Sequence, residues 1–302
     1  MKKEIVTMLL AAALMTSSLT ACNDVEVTGN DIDNTTTTES STNAEAVDVE
    51  SEYDPATYMR YTLNSDGKSY SVCPIGLPKV MKELVIPGEY KGLPVTKIDG
   101  KCLEDSSIET IIISEGIQEI LIRFKYCRDI KNIYIPSSVI YITDGAFNGR
   151  PTMGGMPGSI KTNVIENIVV AEGNPYYHVD GNCLIETKSK KIILGCNSSI
   201  IPNDGSVESI GYAAFANCKS IETVILPKSI IEIEYYAFDN CENMKYMYIT
   251  SSVSIDQQFV DFDVEMVFYG GPKCIFYVPD AESLEVYSNV HGSYIHFEIG
   301  TP

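Results

Sequence analysis

Apolar residues recur along the chain in short runs, several of which end in proline. They are "LVIP" at Leu84 to Pro87, "IIIS" at Ile111 to Ser114, "IYIP" at Ile133 to Pro136, "IVVA" at Ile168 to Ala171, "SIIP" ending at Pro202, "VILP" at Val224 to Pro227, "MYIT" at Met247 to Thr250 and "FYVP" at Phe276 to Pro279. Another apolar residue stands three places ahead of most runs, at Ile108, Ile130, Ile165, Ile221 and Met244. After the run come a second apolar pair, such as Ile230 and Ile233, and then a small residue with Phe: Ala146-Phe147, Ala214-Phe215, Ala237-Phe238. Cys follows three places later at Cys218 and Cys241, and at Cys127 after Phe124. The period is 22 to 27 residues, stretched where insertions fall.

A unit this short cannot bury its own apolar side chains, so it must stack on its neighbours to form a continuous core. The pattern therefore predicts one solenoid over 58–302 rather than two globular domains. Its β-rich runs are expected to lie side by side as a parallel sheet on one face, strands about 4.8 Å apart. The return arms, with Gly or Asp ahead of Ala-Phe, are expected to hold turns and short helical or 3-10 segments. Successive side chains of a strand face opposite ways, so with Ile133 and Ile135 inward, Asn132 and Tyr134 face out. The same parity exposes Thr110 and Ile112, Asn167 and Val169, Thr223 and Ile225, and Tyr246 and Tyr248. Stacked, Ile112, Tyr134, Val169, Ile225 and Tyr248 are expected to run as one stripe along the open face of the sheet. A contiguous row of exposed apolar and aromatic side chains marks a binding surface. The alternative is that β-branched residues and Tyr stand there because strands favour them. Ile112, Asn132, Tyr134, Val169, Ile225, Tyr246 and Tyr248 are the candidate ligand-binding residues.

The repeating pattern of apolar-x-x-Ile-x-Ile-Pro, then Val or Ile, Ile, Ala-Phe and Cys, resembles the BspA-like leucine-rich repeats of bacterial surface proteins, over most of residues 60 to 290. "VVAEGNPYYHVDGNCLI", Val169 to Ile185, is similar to a hairpin-containing variant repeat of that family, and "IFYVPDAESLEVYSN", Ile275 to Asn289, is similar to its usual C-terminal unit. The resemblance implies a leucine-rich-repeat solenoid at the cell surface, with adhesion or ligand binding as its usual role. Two departures stand out. "GRPTMGGMPGSIK", Gly149 to Lys161, interrupts the series; its glycines lack the spacing of a phosphate-binding loop, and it is expected to be a flexible loop. Cys102 and Phe124 take the Phe slot four residues after Ile98 and Ile120, where later units use five, so the early coils are expected to be tighter or less regular.

The first residues change the picture of where this solenoid sits. "MKKEIVTMLLAAALMTSSLTAC" has two Lys behind Met1, an apolar stretch from Ile5 to Met15 and then small residues, the layout of an export signal too short to span a bilayer permanently. Leu19, Thr20, Ala21 and Cys22 resemble a bacterial lipobox, which implies cleavage after residue 21 and lipid on Cys22. An ordinary secretory signal ending near Ala21 is the alternative. Acyl chains contribute about 0.8 kcal/mol per buried methylene, enough together to anchor the chain without a transmembrane helix. Residues 23–57 hold ten Asp or Glu, no Lys or Arg and four successive Thr, so 22–57 is expected to be a disordered acidic tether. It carries about half of the net charge of −19. That acidity, with no basic patch to meet phosphates, argues against nucleic acid as a partner.

Nine cysteines are present. The eight other than Cys22 contain no closely spaced pair of the zinc-site kind. Export permits disulfides, and stacked coils could bring Cys218 and Cys241 within bridging range. Repeated buried Cys also serves as a small apolar filler, the reading favoured for Cys127, Cys218 and Cys241. Cys183 and Cys196 are open between a hairpin-closing bridge and packing. His178, His291 and His296 lack metal-ligand spacing, and His178 reads as a turn-side polar residue. No Gly-x-Ser-x-Gly elbow, Cys-His signature or Walker sequence occurs, and acidic pairs such as Glu232 with Glu234 need a cleft to become a catalytic dyad. The expectation is a non-enzymatic, cofactor-free surface lipoprotein that binds an extracellular protein or glycan. The alternatives are a structural, self-assembling envelope protein and, third, a surface hydrolase.

Overall fold

The computed structural model describes residues 51–54, 57–100, 107–122, 124, 129–147, 164–250, 274–290 and 296–302. The export signal, Cys22, nearly all of the expected tether, Cys102, Cys127, the 149–161 insertion and His291 lie outside the described residues.

Strands β1 (Ser51–Asp54), β2 (Met59–Leu63) and β3 (Tyr70–Pro74) form an antiparallel meander. Paired backbone is therefore present at Ser51–Asp54, inside the stretch whose composition reads as tether, with Ser51 opposite Thr62 and Asp54 opposite Met59. The solenoid follows as β4 (Glu83–Ile86), β5 (Glu89–Tyr90), β6 (Leu93–Ile98), β7 (Thr110–Ile113), β8 (Glu119–Ile120), β9 (Asn132–Ile135), β10 (Tyr141–Ile142) and β11 (Asn167–Val170). The chain alternates between two ladders: β4, β7, β9 and β11 make one parallel sheet, and β3, β6, β8 and β10 run parallel in the other.

A hairpin then interrupts the alternation. Strands β12 (Tyr177–Asp180) and β13 (Cys183–Glu186) pair antiparallel, and β14 (Lys191–Leu194) turns back on β13 before continuing parallel into β15 (Ser209–Ile210) and β17 (Glu232–Ile233). The hairpin coincides with the variant repeat read from the sequence. The other ladder resumes as the parallel sheet β16 (Thr223–Leu226), β18 (Tyr246–Ile249), β19 (Ile275–Val278) and β20 (His296–Ile299), with helix α1 (Ala281–Val290) between its last two strands. One run fails the strand expectation. "SIIP" is not a strand, because Ile200 donates its N–H to the Gly181 carbonyl at 2.8 Å, which holds the segment beside the hairpin turn with Ile200 exposed.

Equivalent residues stack coil on coil. Leu84, Ile111, Ile133 and Ile168 are in register and buried, as are Ile98, Ile120 and Ile142 on the other ladder and Ile192, Ile210 and Ile233 beyond the hairpin. Full burial of each such side chain contributes about 1.5–3 kcal/mol, which no single coil realises alone. The Phe slot obeys the same rule: Phe124 lies on Phe147 at 5.3 Å between centroids and Phe215 on Phe238 at 5.2 Å.

Among the described residues the return arms hold strands of two to six residues and turns, not the helical pieces expected, because their N–H groups bond to the next coil. Gly195 donates to Ala214, Phe215 to Ala237 and Asn217 to Asp239, each at 2.8 Å. Two successive turns enter the left-handed region at the same two positions, Ala213 and Asn217 (φ 55° and 64°), then Tyr236 and Asn240 (φ 62° and 57°). Asn tolerates that conformation, and Asn240 Nδ2 donates to Asn217 Oδ1 at 2.8 Å.

Polar contacts set the register on the outside. Glu109 binds Lys82 (2.9 Å) on the preceding coil and Lys131 (2.8 Å) on the following one. Lys131 and then Lys82 hold the Glu109 carboxyl down at about 2. Such exposed pairs add little to stability because solvent screens them, so their main effect is alignment. Asn182 is a denser junction: its Nδ2 donates to the Glu166 carbonyl and to Ser198 Oγ, both at 2.9 Å, and its Oδ1 accepts from the Ile168 N–H. It ties β11 to the hairpin.

Both core ends are covered. At the first, Tyr61 stacks on Tyr90 and meets Tyr70 edge-on. At the other, Asp280 caps α1 by accepting the Ser283 N–H at 2.8 Å, and Tyr287 stacks on Phe297 at 5.6 Å.

Two stability predictions follow from this packing. A Cβ on Gly195 would lie 2.1 Å from Cε1 of Phe215, inside the stacked Phe column. Gly195→Ala should therefore destabilise the chain by about 1–3 kcal/mol in a denaturant titration, and an unchanged midpoint would contradict the packing. Asp239 stands one period after Ala216 and is 3 % exposed; burial pushes its carboxyl up to about 6. A raised carboxyl costs nothing while both states are protonated, and its cost grows as pH rises from about 4 through 6. Stability should fall by about 3 kcal/mol over that interval and level off above it. Asp239→Asn should remove that fall; a parallel pH profile for parent and variant would refute the assignment.

Candidate ligand-binding face

Burial alternates as expected on β9, β16 and β18, but not on β7, where Ile112 is buried like its neighbours. In the first sheet Val85, Ile112, Tyr134 and Val169 stand in register as one outward row, and Glu83, Thr110, Asn132 and Asn167 as a second. In the last sheet the rows are Ile225, Tyr248, Tyr277 and Glu298, and Thr223, Tyr246, Ile275 and His296. The expected single stripe is therefore two rows. Val169 on β11 and Ile225 on β16 belong to different sheets, separated along the chain by the hairpin and the non-strand segment around Pro202.

The two halves differ in chemistry. Asn132 Nδ2 donates to Thr110 Oγ1 at 3.2 Å and Asn167 Nδ2 donates to Asn132 Oδ1 at 2.8 Å. This polar row uses its hydrogen bonds to hold coils together. Beside it Ile112 points outward yet is only 4 % exposed, flanked in register by Val85 and Tyr134. It is outside the core cluster and also not an accessible contact, which corrects its place among the candidate residues. Tyr134 and Val169 are half-buried.

The last sheet presents an aromatic cluster. Tyr248 and Tyr277 stack at 4.8 Å with an interplanar angle of 15°, and Tyr246 meets Tyr277 at 6.0 Å, tilted by 40°. Ile225 (46 %) and Tyr246 (37 %) are exposed. At the end of the row Tyr277 stands opposite Glu298 in register; burial and that carboxylate raise the Tyr277 hydroxyl above the usual tyrosine value. His296 Nε2 lies 2.8 Å from Glu298 Oε1. Tyr277, Glu298 and His296 were not among the candidate residues. The signal for Tyr277 was present, since it takes the position in "FYVP" that Tyr248 takes in "MYIT". Strand β20 carries no such run, so its outward residues had no signal.

The groups weighed for catalysis sit elsewhere. Cys183, Cys196, Cys218, Cys241 and Cys274 are free and buried, so the Cys183–Cys196 pair does not bridge. Burial pushes the Cys183, Cys241 and Cys274 thiols up to about 12, far from the thiolate a nucleophile needs. Cys218 and Cys241 fill equivalent interior slots, and the Cys241 thiol donates to the Phe215 carbonyl at 3.2 Å. Cys73 is disulfide-bonded, to a partner outside the described residues. His178 Nδ1 pairs with Thr187 Oγ1 across the hairpin at 2.9 Å. Glu234 is bound to Lys191 at 2.6 Å and accepts the Tyr212 N–H at 2.9 Å, so it forms a structural pair rather than a dyad with Glu232. Among the described residues no group of three His, Cys, Asp or Glu could hold a metal ion, and no helix is long and apolar enough to cross a membrane.

Compared with curated proteins, the sequence has no match. Solved structures similar to it include a leucine-rich repeat protein of T. pallidum (17 % identity, 81 % of this chain and 100 % of that one, TM-score 0.40). Others are one from Bacteroides ovatus (16 %, 74 % and 46 %, TM-score 0.35) and the pneumococcal vaccine antigen PcpA (13 %, 84 % and 99 %, TM-score 0.27). The family assignment rests on the repeats themselves: six copies of the BspA type leucine-rich repeat match at residues 82–167 and 189–261, more than half of the chain. The chain belongs to the BspA type leucine-rich repeat family.

Proposed function

We propose that this is a cell-surface lipoprotein whose leucine-rich-repeat solenoid captures an extracellular protein or glycan on the outward face of its last parallel sheet. The observation that carries the reading is the cluster of Tyr246, Tyr248 and Tyr277, held in register by the ladder and directed away from the core. Tyrosine suits a contact surface because it combines apolar area with a hydroxyl at little conformational cost. The rigid ladder preorganises the cluster, which reduces the ordering cost of binding. The lipobox-like sequence ending at Cys22 and the acidic stretch after it supply the anchor and the spacer, and the family's usual place at the bacterial surface agrees with them. The chemistry needs no bond making and no cofactor, only many weak contacts.

A second reading, self-assembly in the envelope, draws on β20. It ends the ladder, its outer side has no partner strand among the described residues, and Ile299 on it is 53 % exposed. Such an edge can template pairing with another strand. Light scattering of the delipidated chain separates the two: a persistent monomer at high concentration removes the assembly reading.

Two measurements test the leading proposal. The full chain on beads should retain surface components from host and microbial extracts, and substituting Tyr246, Tyr248 and Tyr277 together by Ser should reduce the retained amount by at least about tenfold. Retention at the parental level by a folded variant would sink the assigned face. Cys22→Ala should move the protein from the detergent phase to the aqueous phase on phase partition, since the acyl chains are its anchor. A variant that stays in detergent would exclude the anchor.

A further inference from the structure

The ligand chemistry of this face can be narrowed from the way its hydrogen bonds and ring faces are already used. Tyr248 and Tyr277 lie face to face at 4.8 Å, so the inner ring faces cover each other and are closed to the flat side of a sugar. What the pair turns outward is ring edges and hydroxyl oxygens. Tyr277 stands opposite Glu298 in register, so the lone pairs of its hydroxyl add acceptors beside that carboxylate. Glu298 is itself an acceptor-only group; it receives His296 Nε2 on Oε1, and its side chain is 43 % exposed. The end of the row is thus rich in acceptors and carries a carboxylate.

The charge of the whole chain has the same sign. The chain has a net charge of −19. The cation nearest in sequence to the cluster, Lys245, is bound to Glu222 at 2.9 Å. Lys82, Lys97, Lys131, Lys190, Lys191 and Lys219 are likewise each bound to a glutamate. An acceptor-rich, negatively charged end on a floor of aromatic edges requires a ligand that brings several donors and positive charge. A guanidinium, with five N–H groups in a planar fork, or an ammonium with three meets that requirement. A neutral glycan brings no charge and would need the ring faces that the stack covers.

We propose that the face takes a cationic polypeptide, an arginine- or lysine-bearing segment whose charged side chain reaches Glu298 and the Tyr277 hydroxyl while its apolar stem lies along Tyr248. The proposal rests on the reading of this sheet as the binding surface and names the ligand class for it.

The test uses the full chain and three probes in a titration at low and at physiological salt: an octa-arginine peptide, an octa-glutamate peptide and a neutral malto-oligosaccharide. Octa-arginine should bind, more weakly as salt rises, and the other two should not. Glu298→Gln and Tyr277→Phe, which keep the shape and the ring stack, should each weaken octa-arginine by about tenfold while leaving the unfolding midpoint unchanged. Octa-arginine binding that neither variant alters would mean adsorption elsewhere on the acidic chain and overturns the proposal. So does a malto-oligosaccharide that binds and is lost in the Tyr246, Tyr248 and Tyr277 to Ser variant; in that case the face remains a binding surface and only its ligand class was wrong. If no probe binds with any dependence on those three tyrosines, the proposal falls, and with unchanged capture from extracts the face falls too.

Discussion

No coil of this chain can bury its own apolar side chains, and every other feature of the fold depends on that. A strand of four residues and a return arm of about a dozen present an apolar side with nothing to cover it until the next coil arrives. The solution is a stack in which each position meets its own equivalent, so the sequence must place similar residues at similar points of every period. Isoleucine on isoleucine and phenylalanine on phenylalanine fill the interior. The same translation acts on polar residues, which is why Asn240 meets Asn217 and why Glu109 finds a lysine on the coil before and on the coil after. A charge repeated at one position without its complement would repel its copies.

Stacking also creates an exposed cross-section at each end, and the chain closes both with elements that do not repeat. The antiparallel meander with its three packed tyrosines covers one, and α1 with Tyr287 against Phe297 covers the other. The hairpin in the middle is a different departure. Both ladders are divided there: β10 and the hairpin strands belong to different sheets, as do β11 and β16, and the return-arm ladder resumes as β14, β15 and β17. Asn182 compensates at that junction by satisfying backbone and side-chain groups from both sides.

What could be read from the sequence was whatever the period repeats. The strand runs, their parity and the Phe and Cys slots all recur, so "SIGYAAFANC" and "EIEYYAFDNC" identify one another as successive return arms, and the free, buried Cys218 and Cys241 occupy the interior places that reading gives them. What could not be read was set by single contacts. Ile200 is held by one hydrogen bond that its N–H donates to the Gly181 carbonyl, which no local pattern in "SIIP" announces. The burial of Ile112 depends on side chains that flank it across two strands. The return arms became ladders because their backbone groups meet the next coil, a tertiary effect that two residues of β-propensity cannot signal. Glu298 entered the candidate site only when β20 was seen to continue the row beyond Tyr277.

The two outward rows arise from one rule and yet are suited to different tasks. In the first sheet Thr110, Asn132 and Asn167 hydrogen-bond to one another, so groups that could recognise a ligand are already satisfied. Breaking such bonds to make new ones gains little, because a typical intramolecular hydrogen bond is worth only about 0.5–1.5 kcal/mol net. Ile112 beside them offers almost no accessible area. In the last sheet the tyrosines use their rings to hold each other and leave hydroxyl oxygens and a carboxylate facing out. Packing needs met by ring faces, with hydrogen-bonding capacity left over, are what the proposed binding face requires, and in this solenoid that condition is met around Tyr246, Tyr248, Tyr277 and Glu298.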